Sequence, residues 1–282
     1  MNQPHRLPAL WTWLAVAAAV LSAVGSILGL LTPERFYGDE TTELVVAVLA
    51  QDLVNLVVVA PLTVVLAAAA RRGAVTSGLC LVGFLAFTAY NYAIYAFSIH
   101  FGPLFLLWVA VLGMAVFALA GSLTSLAGSA SATRPRGTAV WVSGWFLVVV
   151  PLAFTLLWLS EIVPDLLGGR GSTSATAWEV PTNPVHVLDL AFFLPAVCAV
   201  GVLLLRGHRL GVVAAPGALV WLLLTSLPIL VTPFVAQARG DDPGWPVVVP
   251  IGTVALASAV VLWRLVHSMG KPSTAPPSRV RT

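Results

Sequence analysis

Eight apolar stretches, each long enough to cross a lipid bilayer as an α-helix, follow one another along this chain of 282 residues. A membrane-spanning helix needs about 20 apolar residues, because each residue adds about 1.5 Å of helix length. Short segments rich in Gly, Pro, Asp or Arg separate the stretches, as expected for turns between helices. The stretches are 9–31, 44–70, 76–99, 103–127, 139–160, 185–205, 211–235 and 246–268.

The composition supports a membrane protein. Hydrophobic residues make up 59% of the chain and charged residues only 9%, whereas soluble domains carry about 25% charged residues. We therefore predict an all-α polytopic membrane helical bundle over residues 1–269, followed by a disordered basic cytoplasmic tail over 270–282. The first stretch has one alternative interpretation, a cleaved signal peptide, which would leave seven spans.

The charged residues are divided between the two sides of such a bundle. With eight spans, all 11 acidic residues fall on one side, and 11 of the 14 basic residues fall on the other. Basic residues are enriched in cytoplasmic loops, so we predict a multi-pass protein of the bacterial plasma membrane with both termini in the cytoplasm. Insertion topology also explains the net charge of +3, which therefore does not indicate nucleic-acid binding.

The two halves of the sequence resemble one another when they are shifted by 134 residues. The aligned pairs are Asp52 with His186, Asn55 with Asp189, Pro61 with Pro195, Arg72-Gly73 with Arg206-Gly207, and Gly83 with Gly217. Chance is the alternative explanation, since Leu, Pro and Gly recur in apolar helices. A true repeat of four spans would divide the bundle into parallel halves, 1–134 and 135–269, related by an axis along the membrane normal.

Several polar residues lie inside the predicted spans at a similar depth. Counting about 1.5 Å per residue from Arg72 and Arg206 places Asp52 and His186 about 30 Å from the basic side, with Asn55 and Asp189 at about 25 Å. Residues three or four apart share a helix face, and an ionisable group inside a bilayer is costly unless it is paired or wetted. The candidate ligand-binding or proton-binding residues are Asp52, Asn55, Asn91, Tyr95, Glu161, His186 and Asp189.

Two interpretations of these residues stay open. In the first, they form structural hydrogen bonds that hold the helices together. In the second, they line a polar pocket that opens to the extracytoplasmic side, where Asp52 and Asp189 meet in one cavity. The second predicts binding or transport of a small polar or amphipathic ligand. The alternatives are a membrane-embedded enzyme for an outer-leaflet lipid, with His186 or Asp189 as general base, and an accessory subunit of a membrane complex.

The sequence contains little that indicates a cofactor or a catalytic residue. A metal site needs three or four ligands, whereas His186 and Asp189 supply two, and no HExxH motif is present. Membrane-bound haem commonly needs two inward-facing histidines, and Cys80 and Cys198 form no CxxC pair. We therefore expect no metal and no cofactor. Most tryptophans fall near the ends of spans, as an aromatic belt requires, with Trp221 in mid-span as the exception.

Three segments resemble a group of actinobacterial multi-pass membrane proteins whose activity is uncharacterised. They are QDLVNLVVVAP at 51–61, YNYAIYAFSIHFGPLFLLWVAVLGMAVF at 90–117 and PTNPVHVLDLAFFLP at 181–195. The resemblance implies a location in the membrane and carries no activity, substrate or site residue.

Overall fold

Eight helices that are long and apolar enough to cross a membrane make up the described part of the chain. The computed structural model describes residues 6–127, 135 and 137–269, so the predicted tail at 270–282 lies outside the described residues. The helices are α1 (Ala9–Leu31), α2 (Thr42–Arg71), α3 (Val75–Ser98), α4 (Phe105–Ala127), α5 (Thr138–Leu167), α6 (Pro184–Leu205), α7 (Arg209–Arg239) and α8 (Val248–Ser268). The predicted all-α membrane bundle is confirmed.

Two of the helices extend beyond their predicted ends. α5 continues from residue 160 to Leu167, because the single charged residue Glu161 does not interrupt the apolar pattern that follows it. α7 continues from residue 235 to Arg239 and ends at Gly240, whose φ is +85°. Glycine adopts this left-handed conformation at little cost, which makes it the usual residue just after a helix.

α2 and α6 each contain one π turn at the same place. The π turns are Asn55–Val59 and Asp189–Phe193, and the α-helices that follow them are Ala60–Arg71 and Leu194–Leu205. A proline comes next in each case, at Pro61 and at Pro195. Proline lacks an N–H and its ring collides with the carbonyl four residues earlier in a regular α-helix. A wider turn relieves this collision, and such turns are frequent at functional sites.

These shared bounds support the interpretation of an internal repeat. The π turn, the helix after it and the glycine that ends each helix all recur after 134 residues. Gly73 and Gly207 both adopt a positive φ, of 94° and 66°. The packing also recurs, since α3 lies against α2 and α4 in the first half, and α7 lies against α6 and α8 in the second.

The centre of the bundle is formed by α3 and α7, the equivalent helices of the two halves. They contain the two most buried membrane spans, and they pack directly against each other. A Cβ atom on Gly83 of α3 would collide with the carbonyl oxygen of Gly217 in α7. Close approach of two helix backbones of this kind needs small residues at the crossing point.

The loops that carry most of the acidic residues meet at one end of the bundle, which we call the acidic end. It comprises segments 32–41, 99–104, 168–183 and 240–247. The Thr41 hydroxyl donates a hydrogen bond of 2.8 Å to the carbonyl oxygen of Ala177, and the backbone N–H of His100 donates one of 2.8 Å to Glu40. These bonds tie three of the four segments together. We call the opposite end, with the turns at 72–74 and 206–208, the basic end.

Candidate functional site

A cavity of about 320 Å³ lies between the two halves of the bundle. Its volume falls in the range of small-molecule sites, about 300–1,000 Å³. The walls come from the part of each helix that is nearer the acidic end, and most of the lining residues are apolar or aromatic. The contributing segments are 44–51 of α2, 87–95 of α3, 154–161 of α5, 183–194 of α6, 221–232 of α7 and 251–254 of α8.

Segment 168–183 closes the cavity toward the acidic end. Ser174, Trp178 and Asn183 of this segment belong to the cavity lining. The segment is fixed at its start by Asp165, whose Oδ2 accepts hydrogen bonds of 3.0 Å from both the N–H and the hydroxyl of Thr173. It is fixed at its end by Asn183, whose side chain accepts from the first N–H groups of α6.

Asp189 is the carboxylate of the cavity that is most enclosed. It is the first residue of the π turn in α6 and is 6% exposed. Its Oδ2 accepts a hydrogen bond of 2.9 Å from Trp158 Nε1 on α5. Its Oδ1 is buried without a hydrogen-bond partner among the described residues. Asp189 therefore presents one oxygen that an incoming donor can use.

His186 lies one turn before Asp189 and packs against the same tryptophan. The His186 and Trp158 rings are 4.7 Å apart between centroids. His186 Nε2 lies 3.8 Å from Oε2 of Glu161, whose other oxygen, Oε1, is buried without a partner. The enzyme alternative expected His186 and Asp189 within hydrogen-bond distance, but within the described part of the chain the bonds of Asp189 go elsewhere.

The opposite wall of the cavity adds two more unpartnered polar atoms. Asn91 on α3 and Trp221 on α7 are each 3% exposed. Asn91 Nδ2 and Trp221 Nε1 have no hydrogen-bond partner among residues 6–127, 135 and 137–269. An unpaired buried polar group costs about 1–3 kcal/mol, and most buried polar groups are paired. Four such atoms on one cavity therefore indicate a place for a polar ligand.

Asp52 lies outside this cavity. Its carboxylate is 1% exposed and accepts hydrogen bonds from Ser26 Oγ at 2.9 Å, the Tyr37 hydroxyl at 2.7 Å and the Tyr95 hydroxyl at 3.2 Å. The expectation that Asp52 and Asp189 meet in one cavity is wrong. Asp52 points toward α1, where Gly29 leaves room for its carboxylate and for Tyr37.

The remaining candidates divide between the cavity and its surroundings. Asn91, Tyr95, Glu161, His186 and Asp189 all line the cavity. Asn55 does not, but its Oδ1 accepts a hydrogen bond of 3.1 Å from Gln51, which does.

Sequence reasoning missed the aromatic residues of the site. Tyr90, Trp158 and Trp221 line the cavity, and the Trp221 and Phe193 rings stack at 5.1 Å with an angle of 11° between their planes. The mid-span position of Trp221 was the one signal that could have identified them, because tryptophan normally lies near the membrane interface. Trp158 gave no such signal, since its place near the end of a span looks like that of a belt residue.

The donor groups of the site do not form an obvious metal centre. Within the described part of the chain, no group of three or more His, Cys, Asp or Glu residues could hold a metal ion. The two cysteines, Cys80 and Cys198, are free thiols. No protein-family model, no curated protein and no solved structure matches this chain.

Proposed function

We propose that this protein binds, and moves across the bacterial plasma membrane, a small polar or amphipathic ligand that occupies the cavity between its two halves. The single observation that carries the proposal is the convergence of four buried polar atoms without partners on one cavity: Asn91 Nδ2, Glu161 Oε1, Asp189 Oδ1 and Trp221 Nε1. Structural hydrogen bonds would leave these atoms paired, as they leave Asp52 paired. A ligand with matching donors and acceptors would pair them.

The distribution of charge supports an orientation for the cavity. The basic end carries Arg71, Arg72, Arg206 and Arg209, and basic residues mark the cytoplasmic side of membrane proteins. In this orientation the termini are cytoplasmic and the cavity opens to the extracytoplasmic side.

The internal repeat supports transport rather than binding alone. In many transporters the substrate lies between two structural repeats, beside helices whose regular hydrogen bonding is interrupted. Here the cavity lies between the two halves, and Asp189 belongs to a π turn. Relative motion of the halves about the α3–α7 contact would change the access to such a cavity.

A screen of thermal stability tests whether the cavity binds a ligand. Purified protein in detergent micelles is heated with small polar and amphipathic compounds, beside an Ala47→Trp variant whose new ring fills the cavity that Ala47 lines. The matched control is Ala110→Trp, at an exposed position on α4. A ligand of the cavity raises the unfolding temperature of the wild type and of Ala110→Trp but not of Ala47→Trp. If no compound produces this pattern, the ligand-binding proposal is wrong.

Cysteine labelling tests the orientation. Thr225 lines the cavity, so Thr225→Cys in a background with Cys80→Ala and Cys198→Ala places a single thiol there. We expect a membrane-impermeant thiol reagent to label it in intact cells. Labelling in inverted membrane vesicles alone would place the opening on the cytoplasmic side. For a compound that passes the stability screen, uptake into proteoliposomes then separates transport from binding alone.

A further inference from the structure

We infer that the cavity selects an organic cation, an amine or quaternary ammonium group carried on an apolar body. The inference rests on the proposed ligand-binding function and names the chemical class of its ligand. It follows from the charge of the lining residues and from the arrangement of the aromatic rings around them.

The charged groups on the cavity wall are predominantly acidic. Glu161 and Asp189 line it, while no Lys or Arg belongs to the lining among the described residues. His186 is the one basic side chain of the lining, and its Nε2 faces Glu161 at 3.8 Å. Asp189 therefore has Trp158 Nε1 as a neutral donor but no cationic partner in the described structure. A carboxylate in apolar surroundings is costly without a counter-charge, which a cationic ligand would supply.

The aromatic side chains are suited to the same kind of ligand. A cation within about 6 Å of a ring centroid is attracted to the ring face, and quaternary ammonium groups are commonly bound in this way. Seven aromatic residues line the cavity, namely Phe87, Tyr90, Tyr95, Phe154, Trp158, Trp178 and Trp221.

Contacts between the rings hold two of them in fixed positions beside Asp189. The Tyr90 ring meets Trp221 edge-on at 5.6 Å and Phe193 edge-on at 4.9 Å. The Trp158 ring is held by its hydrogen bond to Asp189. Because these positions are set before a ligand arrives, less conformational entropy is lost on binding. Rigid rings next to an unpaired carboxylate oxygen form a receptor for an ammonium group.

An anion would find the opposite conditions. It would approach two carboxylates and could gain hydrogen bonds from the unpartnered N–H groups of Asn91 and Trp221. A neutral polar molecule could use the same atoms without needing a charge. The experiment therefore has to vary the charge of the probe while its shape stays constant.

Equilibrium dialysis with matched probes tests the inference on the full chain in maltoside micelles, which contain no ammonium headgroup. The cationic probes are choline and benzyltrimethylammonium. The neutral probe is the alcohol in which a tert-butyl group replaces the trimethylammonium group of choline, and the anionic probe is tert-butylacetate. A further arm uses short-chain phosphatidylcholine as competitor, which separates a lipid headgroup from a soluble cation as the source of the ligand.

Three variants and one control locate the binding. Asp189→Asn and Glu161→Gln each remove one negative charge from the cavity, and Asp189→Glu keeps the charge. The control, Glu43→Gln, removes a charge from the exposed first turn of α2 at the same end of the bundle. We expect cations to bind at least tenfold more tightly than the neutral alcohol. Asp189→Asn and Glu161→Gln should each weaken cation binding at least fivefold, whereas Asp189→Glu should preserve most of it and Glu43→Gln should change it less than twofold.

Different results overturn different claims. If the alcohol or tert-butylacetate binds as tightly as the cations, and Ala47→Trp blocks it, the cavity binds ligands but does not select cations. Cation binding that survives in both Asp189→Asn and Glu161→Gln also overturns the inference. If none of the probes binds and the wider stability screen is empty as well, both the inference and the proposed function are wrong.

Discussion

Gly83 of α3 and Gly217 of α7 are in backbone contact at the centre of the bundle, although they are 134 residues apart in the chain. A Cβ atom on Gly217 would lie 3.1 Å from the backbone nitrogen of Gly83. The two residues are also equivalent positions of the internal repeat. A residue that touches its own equivalent lies beside the symmetry axis, as in a two-fold dimer. The axis that relates the halves therefore passes through this contact.

Substitution at this crossing should destabilise the protein. We expect Gly83→Leu to lower the free energy of unfolding by about 1–3 kcal/mol, the usual cost of overpacking, because the new side chain would meet Gly217 and Val220. Thermal unfolding in detergent micelles measures the effect. Gly113→Leu is the matched control, since a Cβ atom there has no neighbour within 4 Å. Equal stability of the two variants would contradict the close contact.

The hydrogen bonds of Asp52 should contribute to stability and not to ligand binding. Tyr37→Phe removes the bond of 2.7 Å between the phenol and Asp52 Oδ2, and we expect a loss of about 1 kcal/mol in the free energy of unfolding. The exposed Asp39→Asn serves as control at the same end of the bundle. The affinity of any cavity ligand found in the screen should remain within twofold in Tyr37→Phe, and a larger change would place Asp52 in the binding site.

The two buried tryptophans of the cavity should respond differently to replacement by phenylalanine. Trp158→Phe removes the donor to Asp189 Oδ2, so the ligand-free protein should lose about 1–3 kcal/mol of stability, the cost of an unsatisfied buried acceptor. Trp221 Nε1 has no partner in the described structure, so Trp221→Phe should cost less. Chemical unfolding of the two variants in the same detergent provides the comparison, and an equal loss would count against the observed bonding.

The contact between His100 and Glu40 should make the acidic end sensitive to pH. The pKa of His100 is raised above its ordinary value, first by the hydrogen bond from its ring to Glu40 and then by the negative charges of Glu40, Asp39 and Glu179. A raised histidine pKa means that the protonated form stabilises the folded state. This contribution is complete below the unfolded pKa of about 6.5 and is lost as the pH rises through the higher folded value.

Stability measured across this range tests the assignment. We expect the unfolding temperature of the wild type to fall as the pH rises from mildly acidic to mildly alkaline values. His100→Gln should show a smaller fall, because its amide does not titrate. The imidazole is 56% exposed, so solvent screening keeps the effect small. Parallel pH profiles for the two proteins would show that His100 is not the responsible group.

The architecture was predictable from the sequence because a bilayer restricts the choice of structure. Backbone groups in lipid have to be hydrogen-bonded within the segment, so long apolar stretches become helices. This is why α1 was predicted to the residue and the other helices to within a few residues at most ends. The exception, the end of α5, depended on Glu161, whose neighbours on the helix outweighed its charge.

The partners of the polar residues were much less predictable. Residue spacing showed that Asp52 and Asn55 share a helix face, but not which neighbouring helix that face meets. The short helix Pro33–Tyr37 brings the Tyr37 hydroxyl to Asp52, and no periodic pattern in so short a segment reveals such a contact. The π turns were missed for a similar reason, since proline indicates an irregular helix without specifying its form.

The π turn at Asp189–Phe193 makes the direction of Asp189 depend on the number of residues in α6. Such a turn holds one residue more than a regular turn, so deletion of a single residue there would restore an uninterrupted α-helix. Each residue rotates an α-helix by about 100°. We expect this deletion to swing Asp189 away from the cavity while every chemical group of the site is retained. Chain length at one turn therefore sets where the carboxylate points.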